Sequence, residues 1–252
     1  MKQSMYDAVY LSPHLDDVTL SCGGQITRQT SNGHSVLIVT VAAGEVASNG
    51  VSALGQQLHQ YWQIEQESAV AARRQEDVQA CSILLADFVH LDVPDAIYRV
   101  HPFKKVPLYA SIAALAGQLH PVEMPLITSV VRQLQGLPPH RQLYVPLAVG
   151  NHVDHQLVRL AAEYCFSTQL CYYEDYPYAQ VPELVNEKLQ QGSWQCEVIP
   201  LSDTELTTKL MAVACFKSQI SALFQNWDNA SKLIKAYTNL TGGERIWQRM
   251  AH

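Results

Sequence analysis

The segment at residues 35–44, SVLIVTVAAG, is an almost unbroken apolar run dominated by β-branched residues. A strand buried on one face alternates apolar and polar residues. A run without alternation belongs to a strand covered on both faces, as in the centre of a parallel sheet flanked by helices. Its surroundings repeat the theme. Residues 6–11 (YDAVYL) form a short buried strand, and 19–30 a helix stopped by Ser31-Asn32-Gly33. The run at 35–44 then completes a βαβ unit.

Further strands are expected at 87–93, 142–150 and 169–179, with a late edge strand at 194–202. Helical periodicity covers 67–86, 111–119 and 125–134. After residue 150 an amphipathic helix places Leu157, Leu160, Ala161 and Tyr164 on its inner face. Asp203 is the expected N-cap of a long helix burying Leu206, Leu210, Val213 and Phe216. Residues 45–65 are polar and too long for an ordinary connector, which suggests a flap over an active site. The alternation predicts a single Rossmann-like α/β domain over residues 1–252, with a mostly parallel sheet and helices on both faces.

Composition narrows the partners. With a formal net charge of −6 and no Lys/Arg block, the chain is unsuited to a nucleic-acid backbone. No apolar run is long enough for a membrane anchor, and the N-terminus lacks the apolar core of a secretory signal, so a cytoplasmic location is expected. The six cysteines are scattered without CxxC spacing and are expected to be free thiols. Homo-oligomerisation is left open.

Two short segments carry chemistry. SPHLDD (residues 12–17) and GNHVDH (150–155) each lie between a predicted buried strand and the helix after it. In a doubly wound sheet that is where ligands bind. His14 and Asp17 are three apart, as are His152 and His155. At a helix start such pairs face one side, so each can converge on one point. Nitrogen and oxygen donors of this kind suit Zn²⁺, and a carboxylate left beside the ion can accept a proton from water. Taken alone, Asp16-Asp17 would be an N-cap pair favoured by the helix dipole. The second His/carboxylate cluster at a matching strand end tips the reading toward a metal site. Gly23-Gly24 fails the GxGxxG pattern and points to close packing of the first helix against a strand.

With these residues in view, SPHLDDVTLSCGG followed by GNHVDH resembles the PIG-L/LmbE-like zinc-dependent de-N-acetylases. Residues 72–86, ARRQEDVQACSILLA, are similar to that family's RxxE helix. The resemblance implies a metal site of His14, Asp17 and His155, with Zn²⁺ as cofactor. It implies Asp16 as general base and a protonated His152 as the electrophilic partner that steadies the oxyanion. Asp154 would orient His152. Arg73, with Arg74 as alternative, Glu76, Asp95 and Asp175 are the expected substrate-side residues, and Asp175 could instead orient a ligand from behind. Arg73 and Glu76 could equally form a surface ion pair of little consequence.

Leu15 and Val153 replace prolines of the family pattern. Gly150 stands where some members have a tyrosine, so a hydroxyl would have to come from elsewhere, with Tyr98 and Tyr173 as candidates. The implied activity is hydrolysis of an N-acetyl group on an amino sugar or glycoconjugate, giving a free amine and acetate. Two other readings stand beside it: a binding protein of the same fold without catalysis, and a Mg²⁺-dependent phosphoryl-transfer enzyme.

Overall fold

In the computed structural model, residues 5–46, 51–63, 69–166, 170–190 and 192–250 are described. The strands are β1 (Tyr6–Ser12), β2 (Val36–Thr40), β3 (Asp87–His90), β4 (His140–Pro146), β5 (Cys171–Tyr173), β6 (Trp194–Ile199) and β7 (Glu244–Arg249). They form one sheet in the order β3-β2-β1-β4-β5-β7-β6. The first five are parallel, and β7 runs antiparallel between β5 and β6. The sheet order reverses between β1 and β4, whose register includes Tyr10 opposite Tyr144. That reversal opens a crevice at the carboxyl ends of both strands.

Period-two alternation divides the core. Val9, Leu11, Leu37, Val39, Leu143 and Val145 face one side, against Ile127 and Val130 of α5 (Met124–Gln135) and Leu157 and Val158 of α6 (Val153–Cys165). Ala8, Tyr10, Val36, Ile38 and Tyr144 face the other. There they meet Val18 and Ile26 of α1 (Asp17–Ser31), Cys81 and Leu84 of α3 (Ala69–Leu84), and Ala212 of α8 (Asp203–Val213). The expected α/β architecture with helices on both faces is present, and the run at 35–44 supplies β2, buried throughout.

Several expectations are corrected. Residues 45–65 contain a helix, α2 (Ala53–Trp62), capped by Ser52, whose side chain accepts from the Gly55 N–H. The helical pattern at 111–119 shrinks to α4 (Ile112–Leu115). Tyr164 is exposed, and α6 buries Val158 and Ala162 beside Leu157 and Ala161. Ser202, not Asp203, caps α8, in a reciprocal capping box with Glu205. The long helix expected after it is broken near Phe216 into α8 and α9 (Lys217–Phe224). The expected ends at residues 67–68 and 169 lie outside the described residues. The chain continues through α7 (Pro182–Leu189), which precedes β6, and α10 (Trp227–Thr241), which precedes β7.

Of the paired glycines of α1, Gly23 makes room for α8 and Gly24 for the segment that joins β6 to α8. A Cβ at Gly23 would press on Lys209 of α8, and one at Gly24 would collide with the Leu201 side chain. The same opening admits Glu244 of β7, which accepts from the Gly24 and Gln25 N–H groups at 2.9 and 2.7 Å and pairs with Lys209 at 2.8 Å. Both charged groups of this pair are buried.

Candidate active site

Both predicted segments reach the β1/β4 crevice. The loop after β1 carries His14 and Asp16 into α1, which begins at Asp17. Asp16 occupies the N-cap position, yet its side chain makes no capping hydrogen bond. Ser12 does that work instead, its Oγ accepting from the Val18 N–H at 3.2 Å. The helix-cap explanation for the adjacent aspartates therefore fails.

Asp17 is drawn into the imidazoles. Its Oδ2 accepts from the His14 N–H at 2.8 Å and lies 3.0 Å from His14 Nδ1 and 3.2 Å from His155 Nε2. Burial disfavours the charged carboxylate, but His155 and His14 hold its pKa well below the usual carboxylate range. The far side of His155 is fixed: Nδ1 lies 2.6 Å from Asp175 Oδ1, and Asp175 Oδ2 accepts from the Val149 N–H. Burial opposes charge on His155, yet Asp17 and Asp175 hold its pKa up at about 9. Asp175 is 1% exposed and does not line the cavity; it positions His155 rather than touching substrate.

One ring nitrogen from each of His14, His152 and His155 lies within 4.8 Å of the other two. Three imidazoles with a carboxylate between two of them, and a buried carboxylate behind one, make a donor set suited to a divalent ion. A second grouping, His14 with Asp95 and Asp154, is also close enough to hold an ion. Asp154, however, already carries an ion pair with Arg99 and accepts from the Ala96 N–H.

The expected link from the Asp154 carboxylate to His152 is not formed. Asp154 Oδ2 faces His14 Nε2 at 3.0 Å. Its backbone N–H, not its carboxylate, meets His152, donating to Nδ1 at 3.2 Å across the first turn of α6. That contact leaves the proton of a neutral imidazole on Nε2. Burial, reinforced by His14, pushes the His152 pKa down to about 3, which favours the neutral ring over the cation that the family resemblance implies.

Asp16 stays clear of this cluster. Burial, then the charge on Asp17, push its pKa up to about 6, while Arg73 and His14 act against that rise. Arg73 Nη2 lies 3.6 Å from Asp16 Oδ1, Nη1 lies 3.6 Å from Asp95 Oδ2, and the guanidinium sits 4.6 Å above the Trp62 ring. Asp95 caps the turn after it, accepting from the Ile97 N–H, and faces the same space. Arg74 instead donates to Ala43 O and Glu45. Glu76 turns away from the cavity, its carboxylate accepting from the N–H and Oγ of Ser218.

These groups open onto a cavity of about 370 Å³. His14, Asp16, Asp17, Arg73, Asp95 and His152 form its polar floor. Leu58, Tyr61 and Trp62 of α2, Ile112 and Leu115 of α4, and Leu223 of α9 form an apolar wall. The flap expected at 45–65 thus contributes a helical wall. Sequence reasoning missed Trp62, Arg99, Tyr178 and Gln219, because none lies in a spacing pattern that marks a site. Tyr98 and Tyr173, the expected hydroxyl sources, are engaged elsewhere: Tyr98 OH with His59 Nε2 at 2.6 Å, and Tyr173 OH donating to Leu11 O. No helix among the described residues is long and apolar enough to cross a membrane.

Known proteins match this chain in sequence and in fold. The chain is 30% identical over 241 residues to 2'-N-acetylparomamine deacetylase from Niallia circulans, covering 89% of this chain and 84% of the relative. A deacetylase–teicoplanin complex superposes with a TM-score of 0.81 at 25% identity, covering 96% and 97% of the two chains. The zinc-inhibited form of teicoplanin deacetylase Orf2 has a TM-score of 0.81 at 24% identity, covering 97% and 98%, and shows the shared fold. Residues 9–166 match the family model described as PIG-L: GlcNAc-PI de-N-acetylase. The chain belongs to that family and is an enzyme of its deacetylase type, a hydrolase.

Proposed function

We propose that residues 1–252 act as one domain that hydrolyses the N-acetyl group of an amino sugar or amino-sugar conjugate with the help of zinc. The observation that carries this reading is the division of labour between neighbours. Asp17 is clasped by two imidazoles, while Asp16 faces the same cavity without joining them. His14, Asp17 and His155 would hold the ion. Bound there, zinc supplies Lewis acidity toward the acyl oxygen and acidifies a water molecule.

The remaining chemistry falls to the chain. Asp16 accepts a proton from the attacking water as the new C–O bond forms. The developing oxyanion receives a hydrogen bond from His152 Nε2–H, a donor pre-set by the backbone contact at Nδ1. As the C–N bond breaks, Asp16 returns its proton to the departing nitrogen, leaving a free amine and acetate. Arg73 and Asp95 offer a cation and an acceptor to sugar hydroxyls. The ring of Trp62 and the apolar wall accommodate the less polar face of the substrate.

The similarity to 2'-N-acetylparomamine deacetylase supports an aminoglycoside-like substrate. The imidazole-rich donor set argues against a Mg²⁺ phosphoryl-transfer enzyme, since magnesium prefers oxygen ligands. The test is acetate release by zinc-loaded protein from N-acetylglucosamine and 2'-N-acetylparomamine. Asp16→Ala should abolish release while retaining zinc by elemental analysis. Full activity in that variant removes Asp16 as base, and a wild type inactive on N-acetylated amino sugars favours a binding protein.

A further inference from the structure

Among the described residues, one cavity-lining phenol beside the carboxylate–imidazole cluster is uncommitted. Tyr178 follows β5 and lines the cavity with His14, Asp16, Asp17 and His152. Its ring stands perpendicular to that of His155, with centroids 5.7 Å apart and an interplanar angle of 88°. The neighbouring phenols of Tyr98, Tyr109 and Tyr173 all hydrogen-bond within the protein. The Tyr178 hydroxyl has no hydrogen-bond partner among the described residues. The charges of Asp17, Asp16, Asp175 and Asp95 all bear on it. Tyr61 also lines the cavity, but on the outer wall and 58% exposed.

The opposite loop is shaped around this ring. Gly150, two residues before His152, has φ +77, and a Cβ there would lie 2.5 Å from Tyr178 Cδ1 and Cγ and 2.8 Å from its Cβ. Any side chain at 150 would displace the tyrosine, and most would also strain the backbone. Glycine at this position therefore lets the aromatic ring close against the turn that carries His152 and His155.

We propose that Tyr178 touches the substrate and donates its phenolic hydrogen to the acyl oxygen, as a second oxyanion donor in addition to His152. The proposal rests on the deacetylase reading above. A neutral phenol is a competent donor that needs no proton transfer of its own, and its placement against His155 fixes it before substrate arrives.

The test compares wild-type and Tyr178→Phe proteins, both zinc-loaded, for acetate release from N-acetylglucosamine and 2'-N-acetylparomamine. Expected is a roughly 100-fold loss of kcat, with KM within about threefold and zinc content and Tm unchanged. A kcat within twofold of wild type, or a change confined to KM, overturns the assignment. A wild type that releases no acetate overturns the deacetylase reading itself, and this proposal with it. If the phenylalanine variant does not fold, 4-fluorophenylalanine at position 178 replaces it, which keeps the bulk of the ring but cannot donate a hydrogen bond. The same loss of kcat is expected there, whereas a kcat within twofold of wild type marks a packing role and overturns the proposal.

Discussion

Glu76 of α3 and Ser218 of α9 are 142 residues apart in sequence and doubly bonded in space. The carboxylate accepts from the Ser218 N–H at 2.9 Å and from its Oγ at 2.6 Å. The first of these sits in the opening turn of α9, where amide groups lack helical partners and a negative charge is favoured. Through this contact α3 holds the helix that brings Gln219 and Leu223 to the cavity.

Glu76→Ala should therefore cost about 1.5–3 kcal/mol, the range for hydrogen bonds to a charged group. Because α9 walls the cavity without touching the reacting groups, KM should rise more than kcat falls. Urea unfolding and steady-state kinetics on the same preparation check both. An unchanged midpoint would show that α9 does not depend on this bond.

Metal removal should be legible without any substrate. Zinc added to chelator-treated protein should raise Tm, by the equivalent of about 2.7 kcal/mol at a free concentration roughly 100 times the dissociation constant. His155→Ala should remove most of that gain, because Asp17 then loses one of its two imidazoles. Differential scanning calorimetry across a zinc titration measures it. An identical gain in the variant would place the ion elsewhere.

The Arg28–Glu205 pair gives a pH signature away from the cavity. Arg28 Nε and Nη2 reach the two Glu205 oxygens at 2.7 and 2.8 Å. The guanidinium bond is the main reason that the Glu205 pKa falls from 4.5 to about 2. A carboxyl depressed in the folded state contributes fully above its unfolded pKa, and the contribution fades as pH drops through the folded value. Solvent screening keeps it small. Glu205→Gln, which can preserve the capping box, should lower stability by about 0.2–1 kcal/mol at pH 7 and by nothing measurable at pH 2. Denaturation at both pH values decides; an equal loss at each would assign the effect to packing.

Gly24→Ala should destabilise by about 1–3 kcal/mol, the usual cost of overpacking a filled interior. The new methyl would strike Leu201. Pairing it with Leu201→Ala should recover part of the loss relative to Leu201→Ala alone. Purely additive losses in the double-mutant cycle would remove the steric explanation.

The crevice was legible in the sequence because two independent strand-to-helix junctions each carried a histidine and a carboxylate at helical spacing. Spacing reports a shared face but not the partner on it. Glu76 could not be separated from a substrate residue, because Ser218 comes from a distant part of the chain. Asp154 was tied by sequence to His152, its near neighbour, while its side chain reaches His14, Ala96 and Arg99. Residues 53–62 hid a helix behind polar side chains, since their inward face packs on a local cluster with Ile97 and Tyr98 rather than on the sheet. β7 left no such trace: its buried face carries the charged Glu244 beside Ile246 and its half-buried face carries Arg245 beside Trp247, so apolar and polar residues do not alternate along it.

The placement of β7 also has a consequence for how the protein is made. Every described residue lining the cavity has left the ribosome once Leu223 has. At that stage β5 still presents an open edge and β6 has no strand beside it, because both await residues 244–249. Lys209 and the α1 amides at Gly24 and Gln25 likewise await Glu244. Residues 244–249 are thus the strip that joins two unfinished halves, and a chain stopped at Gly243 would contain the reaction chamber without the clasp that closes the sheet behind it.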